Sequence, residues 1–158
     1  MITTPHIGGK QRRRADTRKR RSDPILVCGG AGFLGSHLCA RLLREGRQVI
    51  CLDNFCTSEE DAIECLRGRR GFKVVRADVA ELDASGFEPV SAIYNLACAA
   101  SPIHYQKSPL DTLLSSVYGM DCLLKLARRC NARIFQASTS EIYGHPTTHP
   151  QSESYWGH

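Results

Sequence analysis

The sequence contains no C-x-x-C pair although it holds eight cysteines, and that absence removes the simplest metal and redox motifs. Cys28, Cys51 and Cys98 lie in or at the ends of apolar strand-like runs, and Cys39 and Cys122 in helical ones. Buried free thiols in a reducing compartment are the expectation, with no disulfide framework and no metal site. Long apolar runs are missing too. Nothing approaches the roughly 20 residues that a membrane helix needs, so neither a secretory signal nor a membrane anchor is expected, and the compartment reads as cytoplasmic. No internal repeat is present.

Charge is unevenly spread. Residues 1–23 hold eight Lys or Arg against Asp16 and Asp23, a net of +6; with +5 for the whole chain, the other residues sum to −1. The body is close to neutral and advertises no nucleic-acid surface. Residues 1–23 are expected to be a disordered basic tail, because a basic segment without apolar periodicity buries too little surface to fold. Three readings of the tail stay open: a solvated leader, an Arg-rich transit peptide, against which Asp16 and Asp23 count weakly, or a contact for an acidic surface, nucleic acid or import receptor through "KQRRRADTRKRR". Residues 24–158 have enough apolar content for one core.

What is present alternates in type. Apolar runs at 24–30, 48–54, 72–79, 90–98 and 132–138 read as five strands. Between the first two, "GFLGSHLCARLLREG" predicts a helix with Leu34, Leu38 and Leu42 on one face and Gly46 as its stop. Ser58 is expected to cap a short helix beginning "SEED". A long helix is expected over about 108–130, with Leu110, Leu113, Leu114, Val117, Leu124 and Ala127 as its apolar side. Alternation of this kind predicts an α/β fold: a Rossmann-like, doubly wound parallel sheet of order 3-2-1-4-5. The closing "HPQSESYWGH" suits neither strand nor helix and reads as a loop.

The first strand exits into "CGGAGFLG". Gly30, Gly32 and Gly35 satisfy G-x-G-x-x-G; Gly29, Gly32 and Gly35 equally satisfy G-x-x-G-x-x-G. In either register glycines let the backbone approach a pyrophosphate, whose charge rests on the free N–H groups of the helix start, here Phe33 and Leu34. Strand 2 ends at Asp53 and Asn54, close to the expected twenty-odd residues on. The Asp53 carboxylate can accept from both ribose hydroxyls and would repel a 2′-phosphate, so NAD is favoured over NADP. Asp78 and Val79 end strand 3, where Asp78 either reaches the adenine edge or caps a turn. Small residues after strand 4, with Leu96 and Ala97 at the exit, suit a backbone pressed on the cofactor, or close helix–sheet packing. Strand 5 exits into "ASTSEIYG", which puts Ser138, Thr139, Ser140 and Glu141 at the ligand-binding edge of such sheets.

The runs "ILVCGGAGFLGSHL", "LDNF", "ASTSEIYG" and "HPQSESYWGH" resemble the UDP-glucuronic acid decarboxylases, extended short-chain dehydrogenase/reductases related to the dTDP-glucose dehydratases and UDP-galactose epimerases. The resemblance covers 25–158. It implies an NAD cofactor, a UDP-sugar substrate and, in the full-length family, a homodimer. It implies further that hydride passes from sugar C4 to NAD, that the C4 ketone drives loss of CO₂ from C6, and that hydride return gives UDP-xylose. By the same resemblance Thr139 would hydrogen-bond the sugar hydroxyl and Glu141 would orient or protonate near C5. Ser116 stands where the family usually has Asn. In that family the chain runs on into a Tyr-x-x-x-Lys motif and a sugar-nucleotide domain, and neither is among these residues. The expectation is therefore a sheet truncated after its fifth strand, an inactive amino-terminal portion of a decarboxylase. A portion of a 4,6-dehydratase or 4-epimerase, or a non-catalytic NAD-binding module, are the alternatives.

Overall fold

Short β-rich runs set the frame. The computed structural model describes residues 23–158; the tail expectation for residues 1–22 lies outside them. Strands β1 (Ile25–Cys28), β2 (Val49–Asp53), β3 (Phe72–Arg76), β4 (Ala92–Asn95) and β5 (Arg133–Gln136) form one sheet in the order β3-β2-β1-β4-β5. Every pairing is parallel, with Ile25 opposite both Val49 and Ala92. The expected order and direction are those observed.

Helices and turns cover both faces, as parallel sheets require. Alternate residues Ile25, Val27, Val49 and Cys51 pack under helix α1 (Phe33–Arg44) and a 3₁₀ segment, Glu60–Leu66, through Cys39, Leu42, Ile63 and Leu66. The opposite set, Leu26, Cys28, Ile50, Leu52 and Ile93, meets Leu123 and Leu126 of helix α3 (Pro109–Cys130) and Val79, Leu82 and Val90. Helix α2 (Pro102–Lys107) leads into α3. Leu123 and Leu126 are fully buried, and each contributes about 2 kcal/mol by burial.

Three local expectations need correction. On α1 the buried stripe is Gly35, Cys39 and Leu42, while Leu34 is exposed. Close approach at Gly35 sets the rotation of the helix and turns Leu34 outward. On α3 the buried residues are Gly119, Leu123, Leu126 and Ala127, whereas Leu110, Leu113, Val117 and Leu124 stand exposed. The helix carries two apolar stripes, and the sheet side takes the one containing Gly119, where a Cβ would come 2.7 Å from Val79 Cγ1. Ser58 caps no helix: its hydroxyl donates to Asp53 Oδ1 at 2.9 Å, and the Glu60–Leu66 turn has Glu59 as N-cap without a side-chain bond.

Gly46 does end α1. Its φ is +75°, its N–H donates to Leu43 O and that of Arg47 to Leu42 O, the paired bonds of a Schellman motif. All eight cysteines are free; Cys28, Cys39 and Cys51 are buried, but Cys56, Cys65 and Cys98 are exposed, so burial holds for only part of the set. Burial pushes the Cys28 thiol up, and a hydrogen bond with Cys51 together with burial does the same at Cys39. Both stay protonated and inert at neutral pH.

Candidate functional site

Where β1 turns into α1, two backbone requirements coincide. Gly29 has φ +71°, and a Cβ there would lie 2.8 Å from the Leu96 carbonyl carbon and oxygen. Gly35 presses on the same loop, its missing Cβ only 2.0 Å from Gly29 O. The loop is thereby wedged between the β4 exit and the first turn of α1. Gly32 is the N-cap of α1 and offers no side-chain cap, so the first-turn N–H groups of Phe33 and Leu34 face outward without one. That is a cradle for an anion. Of the two glycine registers, Gly29 and Gly32 line the adjoining cavity, while a Cβ on Gly30 would strike Cys51 Sγ at 2.6 Å instead.

The cavity, about 530 Å³, lies along the carboxyl ends of β1, β2, β3 and β4. Asp53, 8% exposed, lines it. Its Oδ2 accepts from Ala31 N at 2.9 Å; its Oδ1 accepts from Phe55 N and Ser58 Oγ, each at 2.9 Å. A carboxylate offers about four lone-pair sites, so one on Oδ2 is left for a ligand. Asn54 Nδ2 donates to Asp78 Oδ2 at 2.8 Å and ties the β2 exit to the β3 exit. Asp78 also caps the short Val79–Glu81 turn, accepting from Ala80 N, so the capping reading of Asp78 is realised at a position that lines the cavity as well.

At the β4 exit, Leu96 and Ala97 line the cavity as expected. Asn95, 3% exposed, accepts from Ala97 N and donates to Gln136 Oε1 at 2.7 Å, fixing that exit against β5. Sequence reasoning missed Asn95; a buried amide at a strand end was its one signal. It missed too the wall supplied by α2 and α3, with His104, Lys107, Asp111, Thr112 and Ser115. These polar positions on a helix judged by its leucines were the available clue. Ser116 sits just beyond that wall, its Oγ donating to Thr112 O at 2.8 Å and lying 3.9 Å from Cys98 Sγ.

Ser138, Thr139 and Glu141 are exposed and do not line this cavity. Thr139 is the N-cap of the Ser140–Tyr143 turn, its Oγ1 accepting from Glu141 N at 3.2 Å. Beyond it the chain doubles back: His145 N donates to His158 O at 2.7 Å and His158 N to Tyr143 O at 2.9 Å. Among the described residues no group of His, Cys, Asp or Glu is placed to hold a metal, and no helix is long and apolar enough to cross a membrane.

An uncapped helix start, a glycine-rich loop, a buried carboxylate with one free lone pair and a cavity along the strand ends fit the phosphates, ribose and adenine of a dinucleotide. Comparison with known proteins points the same way. Residues 25–156 match the family described as NAD dependent epimerase/dehydratase. The chain is 48% identical over 134 residues to UDP-glucuronic acid decarboxylase 6 of Arabidopsis thaliana, an alignment covering 84% of this chain and 38% of that protein. It is 45% identical over 134 residues to UDP-glucuronic acid decarboxylase 1 of Xenopus tropicalis, covering 85% and 31%. A solved UDP-glucose-4-epimerase from Stenotrophomonas maltophila, with bound NAD and formylated UDP-arabinopyranose, superposes with a TM-score of 0.74 at 26% identity, covering 85% of this chain and 42% of that one. The chain thus spans about a third of the length of the curated relatives it matches.

Proposed function

The chain belongs to the NAD dependent epimerase/dehydratase family, and from that premise we propose that residues 24–158 are the NAD-binding portion of a UDP-glucuronate decarboxylase that makes UDP-xylose. The observation that carries the cofactor assignment is the single cavity joining Gly29 and Gly32 to Asp53, Asn54, Asp78, Leu96 and Ala97. The pyrophosphate would rest on the start of α1, the adenosine ribose on Asp53 Oδ2, and the adenine near Asp78 and Val79. NAD, when bound, supplies a hydride acceptor for the sugar. Identity of 48% to a decarboxylase, against 26% to the epimerase above, favours decarboxylation over 4-epimerisation. Thr139 and Glu141 remain the residues assigned to the sugar, on the edge beyond the cavity, and cytoplasmic placement belongs to the same reading.

Calorimetric titration of NAD and NADP tests the assignment. NAD should bind at least about tenfold more tightly, because a 2′-phosphate set against the Asp53 carboxylate is a like-charge contact costing more than a factor of ten. Asp53→Asn removes the charge and keeps an acceptor for Phe55 and Ser58 but sets its NH2 against the Ala31 N–H, so it should narrow that preference at some cost in stability. Equal affinity for the two nucleotides in the unmutated chain overturns the role of Asp53.

A homodimer is part of the proposal. The exposed apolar stripe of α3, with Leu110, Leu113, Val117 and Leu124, is a face that a second copy would cover. Sedimentation showing a dimer that Leu113→Lys dissociates is expected; a monomer at all concentrations removes the dimer from the proposal.

A further inference from the structure

A cation stands beside the proposed ribose site and is held away from it. Asp53 and Arg76 end their strands as register partners of a parallel pair, so their side chains leave the same face of the sheet, one strand spacing (about 4.8 Å) apart. The Arg76 guanidinium does not turn toward Asp53. Its Nη1 donates to Glu60 Oε1 at 2.9 Å, and its central carbon lies 5.1 Å from the centre of the Phe55 ring. Glu60 is gripped on its other oxygen by Arg67 Nη2 at 2.5 Å. Phe55 has φ +59°, a left-handed backbone that a bulky side chain adopts only where its surroundings hold it. Its N–H is one of the three donors to Asp53. Latch, loop and carboxylate therefore form one connected unit.

We infer that the Glu60–Arg76 pair is a latch on nucleotide choice: Glu60 restrains a cation that, once released, pairs with the 2′-phosphate of NADP. The inference rests on the adenosine ribose lying at Asp53, as proposed above. The latch is weak by construction, since both side chains are half-exposed or more, 65% for Arg76 and 50% for Glu60. Exposed ion pairs of this kind hold by a small margin, whereas guanidinium binds phosphate with charge-assisted, often bidentate hydrogen bonds. Preference for NAD then has two parts: the charge of Asp53, and the engagement of Arg76 elsewhere. Arg76 is a specificity determinant, and Glu60 is a positioning residue that acts through it.

Titrating NAD and NADP into the unmutated chain, Glu60→Gln, Arg76→Gln and Glu60→Gln/Arg76→Gln separates the parts. Glu60→Gln should raise NADP affinity about fivefold and leave NAD affinity unchanged, the size expected from freeing one exposed ion pair. The second substitution should erase that gain, and Arg76→Gln alone should lower NADP affinity relative to NAD. A latch that only braced the loop would move both nucleotides together, so parallel changes in NAD and NADP overturn the inference. A gain that survives in the double variant does the same, because it would come from the lost charge of Glu60 alone. Should Glu60→Gln unfold, the Arg76→Gln ratio still decides. Failure of these ratios with NAD bound normally by the unmutated chain leaves the cofactor assignment intact; an unmutated chain that binds neither nucleotide overturns both.

Discussion

Gly35→Ala is expected to abolish NAD binding and to lower the stability of the chain by about 3 kcal/mol or more, the upper range for forcing extra volume into a packed site. The added Cβ would sit 2.0 Å from Gly29 O and 2.7 Å from Gly30 Cα. Both contacts are backbone, so no rotamer change relieves them. Either α1 moves off β1, uncovering Cys39 and Leu42, or the Gly29 loop moves off the Leu96 carbonyl and the anion cradle is lost. Two other glycines calibrate the effect. At Gly32 a Cβ would meet only Gly29 O, at 3.3 Å, so Ala there should be tolerated with a small loss. At Gly46 nothing lies within 4 Å, but φ is +75°, so Ala should cost about 1 kcal/mol through backbone strain alone. Thermal unfolding with calorimetry on the three variants gives the ranking. Gly35→Ala should melt about 10 °C below the unmutated chain. A Gly35→Ala chain that melts with the Gly46 variant and binds NAD normally would show that α1 can retreat without cost.

The ranking also shows which parts of the molecule could be read in advance. Strands β1 and β2 were legible because each is a short apolar run buried on both faces, and alternation with helical segments leaves few topologies to choose from for the rest. Asp53 was legible because its distance from the glycine loop is set by one strand–helix–strand unit. The rotation of α3 was not. Its two apolar stripes are equivalent to any count of leucines, and the choice between them is made by Gly119 meeting Val79, a contact between residues far apart in the chain. Ser58 was misread for a related reason. A serine before acidic residues suits a cap, but Asp53, five residues earlier, offers its hydroxyl a charged acceptor at 2.9 Å. The three-way satisfaction of Asp53 could not be seen from spacing either. The α2–α3 wall of the cavity escaped notice because polar residues on a helix are usually solvated, and only the fold turns His104, Lys107 and Asp111 toward the cofactor edge.

Incubated with UDP-glucuronate and NAD, these 158 residues are expected to release no CO₂ above the blank. The proposed oxidation at sugar C4 needs a base within hydrogen-bond reach of the hydroxyl proton, and such a base is typically worth 10²–10⁴-fold. The base that this reading requires is the tyrosine of a Tyr-x-x-x-Lys pair. No Tyr-x-x-x-Lys spacing occurs among the five tyrosines, and none of the five lines the cavity. Tyr94 lies on β4 with its ring 5.8 Å from that of Phe135, and Tyr143 packs 6.0 Å from Tyr155. Tyr155 comes nearest to the required chemistry, because hydrogen bonds from the Thr147 hydroxyl and amide hold its phenol below the usual range. Yet those bonds tie it to the folded-back segment after Gly144, and it borders a separate open hollow with Ile142 and Trp156. A favourable pKa without reach supplies no catalysis. Glu141 does not line the cavity. Orientation is missing for the same reason, and its loss multiplies that of the base. A mixture of these residues with a second polypeptide carrying the Tyr and Lys should restore turnover if the proposed reaction is right. UDP-xylose formed by the 158 residues alone, and lost on Tyr155→Phe, would instead make Tyr155 the base and overturn its separation from the cofactor site.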